Sequence, residues 1–382
     1  MSRETLQRSQ RPGLAYVVHS LNPGGTEKLV VEMSLAFAAD FSVHVFCLDE
    51  PGLWAGDLRA AGIPVSCLWR QPGLDLLVSR RLATGLRSCA ADIVHAHQCT
   101  AWLYSALARL AFPKPRLLLE EHGRFFPEVN SVARRTLGGV VLRRLTHRFV
   151  AVSQDVKARL VRYEGLNASE IEVIYNGVKP DAPISECDRV ASRAELGFGS
   201  EHFVVGTAGR FDPVKNLPML VRGIGEAARV EGRVRGLLIG DGEQLAAIRN
   251  FVDSLDLADR VRFAGFRPDA RKLIQCLDLF VLSSFSEGTS LALLEAIAAG
   301  VPVAVTAVGG NPEVVVAGET GWVVPSGAVA ALAAAVLEAA RDRPLRTRFS
   351  VAGRQRFDEC FAFAKMISGY RQLYHGLTGN VA

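Results

Sequence analysis

Short, nearly continuous apolar runs alternate along this chain with longer stretches in which apolar residues recur at helical spacing. In the first half the runs are residues 14–19 (LAYVVH), 42–48 (SVHVFCL), 93–96, 117–120 and 149–152. Runs of about 4–7 aliphatic and β-branched residues, apolar on both faces, are what a covered parallel sheet requires of its strands. Between them, 27–39 and 102–111 read as helices. The second half repeats the pattern, with strands at 203–208, 234–240, 261–264, 279–283 and 303–305. Its helices fall at 217–230, 243–255, 271–276, 290–299 and 329–340. Strand–helix alternation in both halves predicts two doubly wound α/β units. Residues 176–199 are rich in turn formers and weak in periodicity, so they are expected to join the units. The expected division is residues 1–176 and 177–360, with a C-terminal helix over 361–382 packing back on the first unit. A ligand is expected at the carboxyl ends of the strands, in a cleft between the units.

Composition narrows the class. At 382 residues, 49% hydrophobic and 22% charged, the chain reads as an ordinary globular protein rather than a disordered one. The longest apolar candidate, 291–309, is interrupted by Glu295, Pro302 and glycines, so no membrane span is expected. The first residues are polar and lack a secretory core. Seven cysteines without a C-x-x-C pair fit reduced thiols, which points to a cytoplasmic setting. No G-x-G-x-x-G follows the first strand, so nicotinamide binding has little support.

Charge is unevenly placed. Residues 1–178 hold 21 basic and 16 acidic side chains, whereas the remainder balances at 23 and 23. Over 124–162 the count is 9 against 2, and 131–148 interleaves Arg134, Arg135, Arg143, Arg144 and Arg148 with Val and Leu. Two readings stand: contact with an anionic membrane surface, or a solvated helix face. No basic stripe is interleaved with stacking aromatics, so nucleic acid is not an expected partner.

The sharpest chemical constellation is 286–296 (SEGTSLALLEA), after the strand at 279–283. Gly288, Thr289 and Ser290 fall where a helix begins and its first amides lack intrahelical acceptors, which suits a phosphate or polyol oxygen. Glu287, just ahead, can accept hydrogen bonds from hydroxyls, and Glu295 breaks an apolar stripe where a ribose diol would supply two donors. The alternative is a capping box with Glu295 held by a backbone or arginine contact. A glycosidase pair is disfavoured, because a helix start between the two carboxylates aims them at different parts of one elongated ligand. Arg210 and Lys215, after the first strand of the second half, are two cations able to neutralise a diphosphate without metal, or else a pair of surface basics. No Asp-x-Asp or clustered ligand set is apparent, so no metal and no cofactor are expected. Gly24 and Gly25 would let backbone amides approach the same phosphates, unless the turn is purely structural. His19, His97 and His122 each close a strand of the first half, where catalytic groups are carried and where satisfied structural histidines also occur.

Together these segments resemble the GT4 retaining glycosyltransferases. The E-x7-E pair Glu287 and Glu295 carries most of the likeness, followed by 299–303 (AGVPV) and 309–315 (GGNPEVV). Residues 24–27 (GGTE), 173–178 (VIYNGV), 208–216 (AGRFDPVKN) and 319–325 (ETGWVVP) resemble further family segments, in order, along nearly the whole chain. One departure is Thr289-Ser290, where members usually carry a large apolar residue; it leaves the donor sugar open. The resemblance implies the GT-B architecture of two Rossmann-like units, and a nucleotide-diphosphate sugar, UDP-linked by commonest usage, as co-substrate. It implies that His122 contacts the donor sugar, with Arg210 and Lys215 on the diphosphate, and Glu287 and Glu295 on the sugar and the ribose. His97, Arg134 and Arg135 are weaker candidates on the acceptor side. Transfer with retention to a glycan or lipid-linked saccharide follows, in cell-surface polysaccharide or glycolipid synthesis at the inner membrane face. A nucleotide-sugar 2-epimerase of the same fold and a non-catalytic sugar-nucleotide-binding subunit are the alternatives.

Overall fold

A computed structural model describes residues 11–123 and 131–379, which divide into two units. The first holds residues 11–123, 131–174 and 367–379; the second holds 175–366. The first is built on β1 (Gly13–Val18), β2 (Ser42–Cys47), β3 (Val65–Cys67), β4 (Ala91–His97), β5 (Arg116–Glu121), β6 (Arg148–Ala151) and β7 (Ile171–Val173). They form one parallel sheet in the order β3-β2-β1-β4-β5-β6-β7. All six residues of β1 are buried, so this strand has no polar side to show to water. Ala15 and Val17 face a core shared with Phe46, Leu82 and Trp102. Tyr16, with the opposite orientation, meets Tyr374 of the C-terminal helix Phe363–Thr378, hydroxyl to hydroxyl at 3.2 Å.

The second unit holds β8 (Phe203–Ala208), β9 (Val234–Ile239), β10 (Val261–Gly265), β11 (Leu279–Leu282), β12 (Val303–Thr306) and β13 (Trp322–Val324). Their order is β10-β9-β8-β11-β12-β13, again parallel throughout. Leu220 and Ile224 of helix Leu217–Val230 share its core with Leu332 and Val336 of helix Val329–Arg341. Each sheet reverses its strand order once, between β1 and β4 and between β8 and β11. In open α/β sheets, ligands bind outside the strand carboxyl ends at such reversals. Gly24 and Gly25 follow β1 and His97 ends β4; Arg210 and Lys215 follow β8 and Glu287 follows β11.

Two expectations about elements need correction. The turn-rich joint contains a helix, Glu186–Glu195, capped by Ser185, whose hydroxyl accepts from Asp188 N at 3.1 Å. Its apolar residues, Cys187, Val190, Ala191 and Ala194, face solvent, and the helix is anchored instead by Arg189 and Arg193, which reach Asp278 at 2.9 and 2.6 Å. The strands β3, β7 and β13 went unread because each has three residues, too few for an apolar run to stand out. The basic stretch is a short helix (Val132–Thr136), a π-helical segment (Leu137–Leu142) and a 3-10 turn (Arg143–Leu145) leading into β6. Arg134 pairs with Glu164 at 2.8 Å and Arg143 with Glu170, while Arg135, Arg144 and Arg148 are exposed.

Candidate active site

In the second unit the chain leaves β8 through Gly209 and runs to Asn216 before helix Leu217–Val230 begins. Phe211, 1% exposed, pins that loop to the core, and its amide donates to Asp241 O at 2.8 Å. A single 3-10 turn, Pro213–Lys215, ends at Asn216 with φ of 47°, a left-handed geometry that asparagine tolerates better than most residues. Lys215 is thereby fixed at the tip of the turn. Its Nζ donates to Glu287 Oε1 at 2.7 Å, and the Ser284 hydroxyl donates to the same oxygen at 2.5 Å. The Ser283 hydroxyl lies 3.0 Å from Lys215 O and 3.1 Å from Asn216 O, tying the loop after β11 to the loop after β8.

Glycine is required beside Glu287. Gly309 has φ of +54°, and a Cβ there would fall 1.9 Å from the Glu287 carbonyl oxygen. Gly310 N donates to that oxygen at 3.2 Å, so the Gly-Gly pair sets the backbone height of the acidic residue. Asn176 Nδ2 donates to Thr289 O at 3.0 Å and holds the loop from the other side. The following helix, Leu291–Ala298, starts one residue after the run Gly288, Thr289, Ser290. Ser290 is its cap, accepting from Leu293 N at 3.4 Å. Glu295 lies inside that helix with its carboxylate 10% exposed, Oε1 at 3.7 Å from Arg271 Nε. Arg271 also faces Asp181 at 2.7 Å. A cap and an arginine neighbour, the features of the structural alternative, are therefore both present. Of the two expected cations, Lys215 meets Glu287, whereas Arg210 is 62% exposed and turns to Asp212 at 2.6 Å.

In the first unit, Gly24 is the extended cap of helix Gly25–Phe37. His19 lies 3.4 Å from Asp49, which Arg70 also binds at 2.6 Å. The other two histidines share a buried polar cluster. His122 Nε2 is 2.9 Å from His97 Nδ1 and 3.5 Å from Glu120 Oε1. Glu120 Oε2 is 2.9 Å from His95 Nε2 and 3.4 Å from His97 Nδ1, and His95 Nδ1 is 2.7 Å from the Tyr374 hydroxyl. His95, His97 and Glu120 are at most 1% exposed. Burial drives the His95 and His97 rings below their usual range. For Glu120, burial pushes the carboxyl upward, but His122, His95 and His97 outweigh it and hold the group far below the ordinary carboxylate range. A lone buried carboxylate would cost several kcal/mol, so it stays ionised only in such company.

Sequence reasoning found His97 and His122 and missed His95, Glu120 and Tyr374. The alternation His95-Ala96-His97 in a strand places both rings on one face, and the β4–β5 register sets His97 opposite Glu120. Among the described residues, His95, His97 and Glu120 are the group that brings three donor atoms within 4.8 Å of one another. At the other end of the same strands, cavities of about 710 and 880 Å³ share His147 and Arg148 in their walls; Lys114 and Arg116 line one, Arg143 and Arg144 the other. No helix of the described residues is long and apolar enough to cross a membrane, and all seven cysteines are free.

Comparison with known proteins agrees with this layout. Residues 23–182 match the model of Glycosyltransferase Family 4, and residues 188–356 match that of Glycosyl transferases group 1. The N-acetyl-alpha-D-glucosaminyl L-malate synthase of Bacillus anthracis is 29% identical over 206 residues, 54% of this chain and 54% of that enzyme. The chain thus spans about half the length of that relative. The lipopolysaccharide core biosynthesis glycosyltransferase LpsD of Rhizobium meliloti is 27% identical over 94% of this chain and 96% of its own. In fold, the chain matches Anabaena Alr3699/HepE, solved in complex with UDP-glucose, with a TM-score of 0.86 at 22% identity, over 95% of this chain and 99% of that one.

Proposed function

The chain belongs to the GT4 family of glycosyltransferases, and we propose that it moves a sugar from a UDP-sugar to a glycan or lipid-linked saccharide, with retention and without metal. The observation that carries this reading is the Lys215–Glu287 contact of 2.7 Å at the strand-order reversal of the second sheet. A cation and a sugar-hydroxyl acceptor held side by side there suit the junction of a diphosphate and its sugar. In this reading the bond from the anomeric carbon to the diphosphate oxygen breaks, and the acceptor hydroxyl attacks from the same face. Its proton passes to the departing phosphate, whose growing charge is met by Lys215 and by Arg210 once it swings from Asp212. Glu295 takes the ribose and Glu287 the sugar hydroxyls. The UDP-bound fold neighbours support uridine as the base, and LpsD supports a cell-surface acceptor. Incubation with a panel of UDP-sugars tests the proposal. UDP release that survives excess EDTA is expected. Complete loss on chelation, restored by Mg²⁺ or Mn²⁺, overturns the metal-free step, and sugar isomerisation without release favours the epimerase.

A lipid-linked acceptor would need the chain at a membrane surface, at the inner membrane face in this reading. The amino ends of β5 and β6 support such contact, since Lys114, Arg116, Arg143, Arg144 and Arg148 line the two cavities there. Val132, Leu137, Val140 and Val141 are exposed on the adjoining segment. Sedimentation with phosphatidylglycerol-rich vesicles is expected, weakening with salt. Removing the exposed Arg144 and Arg148 should cost about 1 kcal/mol each, or roughly 30-fold together. Binding unchanged by salt and by the double alanine variant would leave a plain solvated face.

A further inference from the structure

We propose that His95, His97, Glu120 and His122 form a closed site for one divalent transition-metal ion, zinc by its donor set, in the core of the first unit. The proposal uses that unit alone and goes beyond the transferase reading, in which no metal takes part. Two i, i+2 pairs build the site. His95-Ala96-His97 ends β4, Glu120-Glu121-His122 runs off the end of β5, and the parallel register sets His97 beside Glu120. Alternation along each strand turns both members of a pair to one face of the sheet. Three ring nitrogens then surround one carboxylate. His95 Nε2 is 2.9 Å and His97 Nδ1 3.4 Å from Oε2, and His122 Nε2 is 3.5 Å from Oε1. Yet neither carboxylate oxygen has a hydrogen-bond partner among the described residues, and His95 Nε2 has none either. Donor atoms sit close but unaligned in this way when their lone pairs converge on a common centre rather than on one another. Bonds of about 2.0–2.1 Å at tetrahedral angles put neighbouring donors about 3.3–3.4 Å apart, the scale of these separations. The one aligned pair among the four side chains is His97 Nδ1 and His122 Nε2 at 2.9 Å, and ligation would move their shared proton to an outer ring nitrogen. The Tyr374 hydroxyl, 2.7 Å from His95 Nδ1, fixes that ring with Nε2 inward, as the free nitrogen of a ligating histidine is usually held. Three imidazoles and one carboxylate suit zinc rather than magnesium or calcium, which take oxygen donors. Four protein ligands complete a tetrahedral ion, and with three of them at most 1% exposed and the His122 side chain at 6%, the ion is structural. At that depth it is shielded from the EDTA that tests the transfer step.

The test is metal content, read on the full untagged chain without any sugar nucleotide, so its outcome is independent of the transferase reading. Chain made with zinc in the medium and purified without chelator should carry about one equivalent of zinc. Its X-ray absorption should show imidazole nitrogens and an oxygen at about 2.0–2.1 Å, and Co²⁺ in its place should give the strong visible bands of a four-coordinate ion. Glu120→Gln and His95→Gln should each weaken zinc by more than about 100-fold, beyond the cost of losing a mere neighbour of a ligand. Should either variant fail to fold, the wild-type zinc content and spectra decide. Less than about a tenth of an equivalent in wild type, even after incubation with excess zinc, overturns the proposal and leaves a cluster joined by protons alone. A sulfur neighbour at about 2.3 Å also overturns it, by placing the ion on a cysteine. So does zinc held equally by wild type and both variants.

Discussion

Lys215→Ala is expected to lower turnover of the UDP-sugar by about 100-fold or more, the scale seen when one preorganised donor to a developing oxyanion is removed. The effect has a geometric reason. Lys215 is presented by a 3-10 turn that stops at a left-handed Asn216, and its nitrogen lies 2.7 Å from a Glu287 carboxylate only 9% exposed. In the proposed mechanism alanine removes the cation from the leaving group, and it leaves that carboxylate without its ion pair. Both act in the same direction on the transition state, where phosphate charge is greatest. Steady-state kinetics, with thermal unfolding alongside to confirm a folded variant, measure it. A loss below about threefold would remove Lys215 from the reaction.

Glu295→Ala and Glu287→Ala should fail differently. With Glu295 on the ribose, its loss weakens UDP and UDP-sugar alike, because both ligands carry the ribose. With Glu287 on the sugar, its loss lowers turnover while UDP affinity stays nearly intact, since a contact made only to the sugar cannot affect a ligand without one. A charged hydrogen bond is worth about 1.5–3 kcal/mol, or roughly 10- to 150-fold, well within calorimetric reach. Equal loss of UDP binding in both variants would mean that Glu287, bonded to Lys215 and Ser284, holds the loop rather than the sugar. No change in either would leave Glu295 as the partner of Arg271 and the motif as structure.

The sheets were legible because their longer strands are apolar on both faces, a signal that needs no partner to be read. Lys215 and Glu287 were legible singly, each in its own motif, but 72 residues separate them. Only the adjacency of β8 and β11 shows that they touch. Glu120 was hidden for a physical reason. At the end of an apolar strand, a carboxylate reads as the point where the strand reaches water, and here it does not. Of the histidines beside it, His122 is near in sequence, but His95 and His97 lie more than twenty residues back, so no one local window contains the whole compensation. Helix Glu186–Glu195 was hidden likewise, since its anchor is Asp278, more than eighty residues on.

The tyrosine pair beneath the histidine cluster sets an order of events in protein synthesis. Tyr16 and His95 are completed by Tyr370 and Tyr374, whose ring centroids lie 5.4 and 5.9 Å from His95. Those two rings belong to residues 367–379, translated only after the whole of the second unit. Domains emerging from the ribosome generally fold in order, at about 5–20 residues per second. Here the earlier unit waits roughly ten to forty seconds for its last core element. During that interval Tyr16 and His95 lack the two tyrosine rings that cover them in the finished fold. The second unit, continuous over its described residues 175–366, is free to fold first, so maturation of the histidine site waits until residues 367–379 have been made.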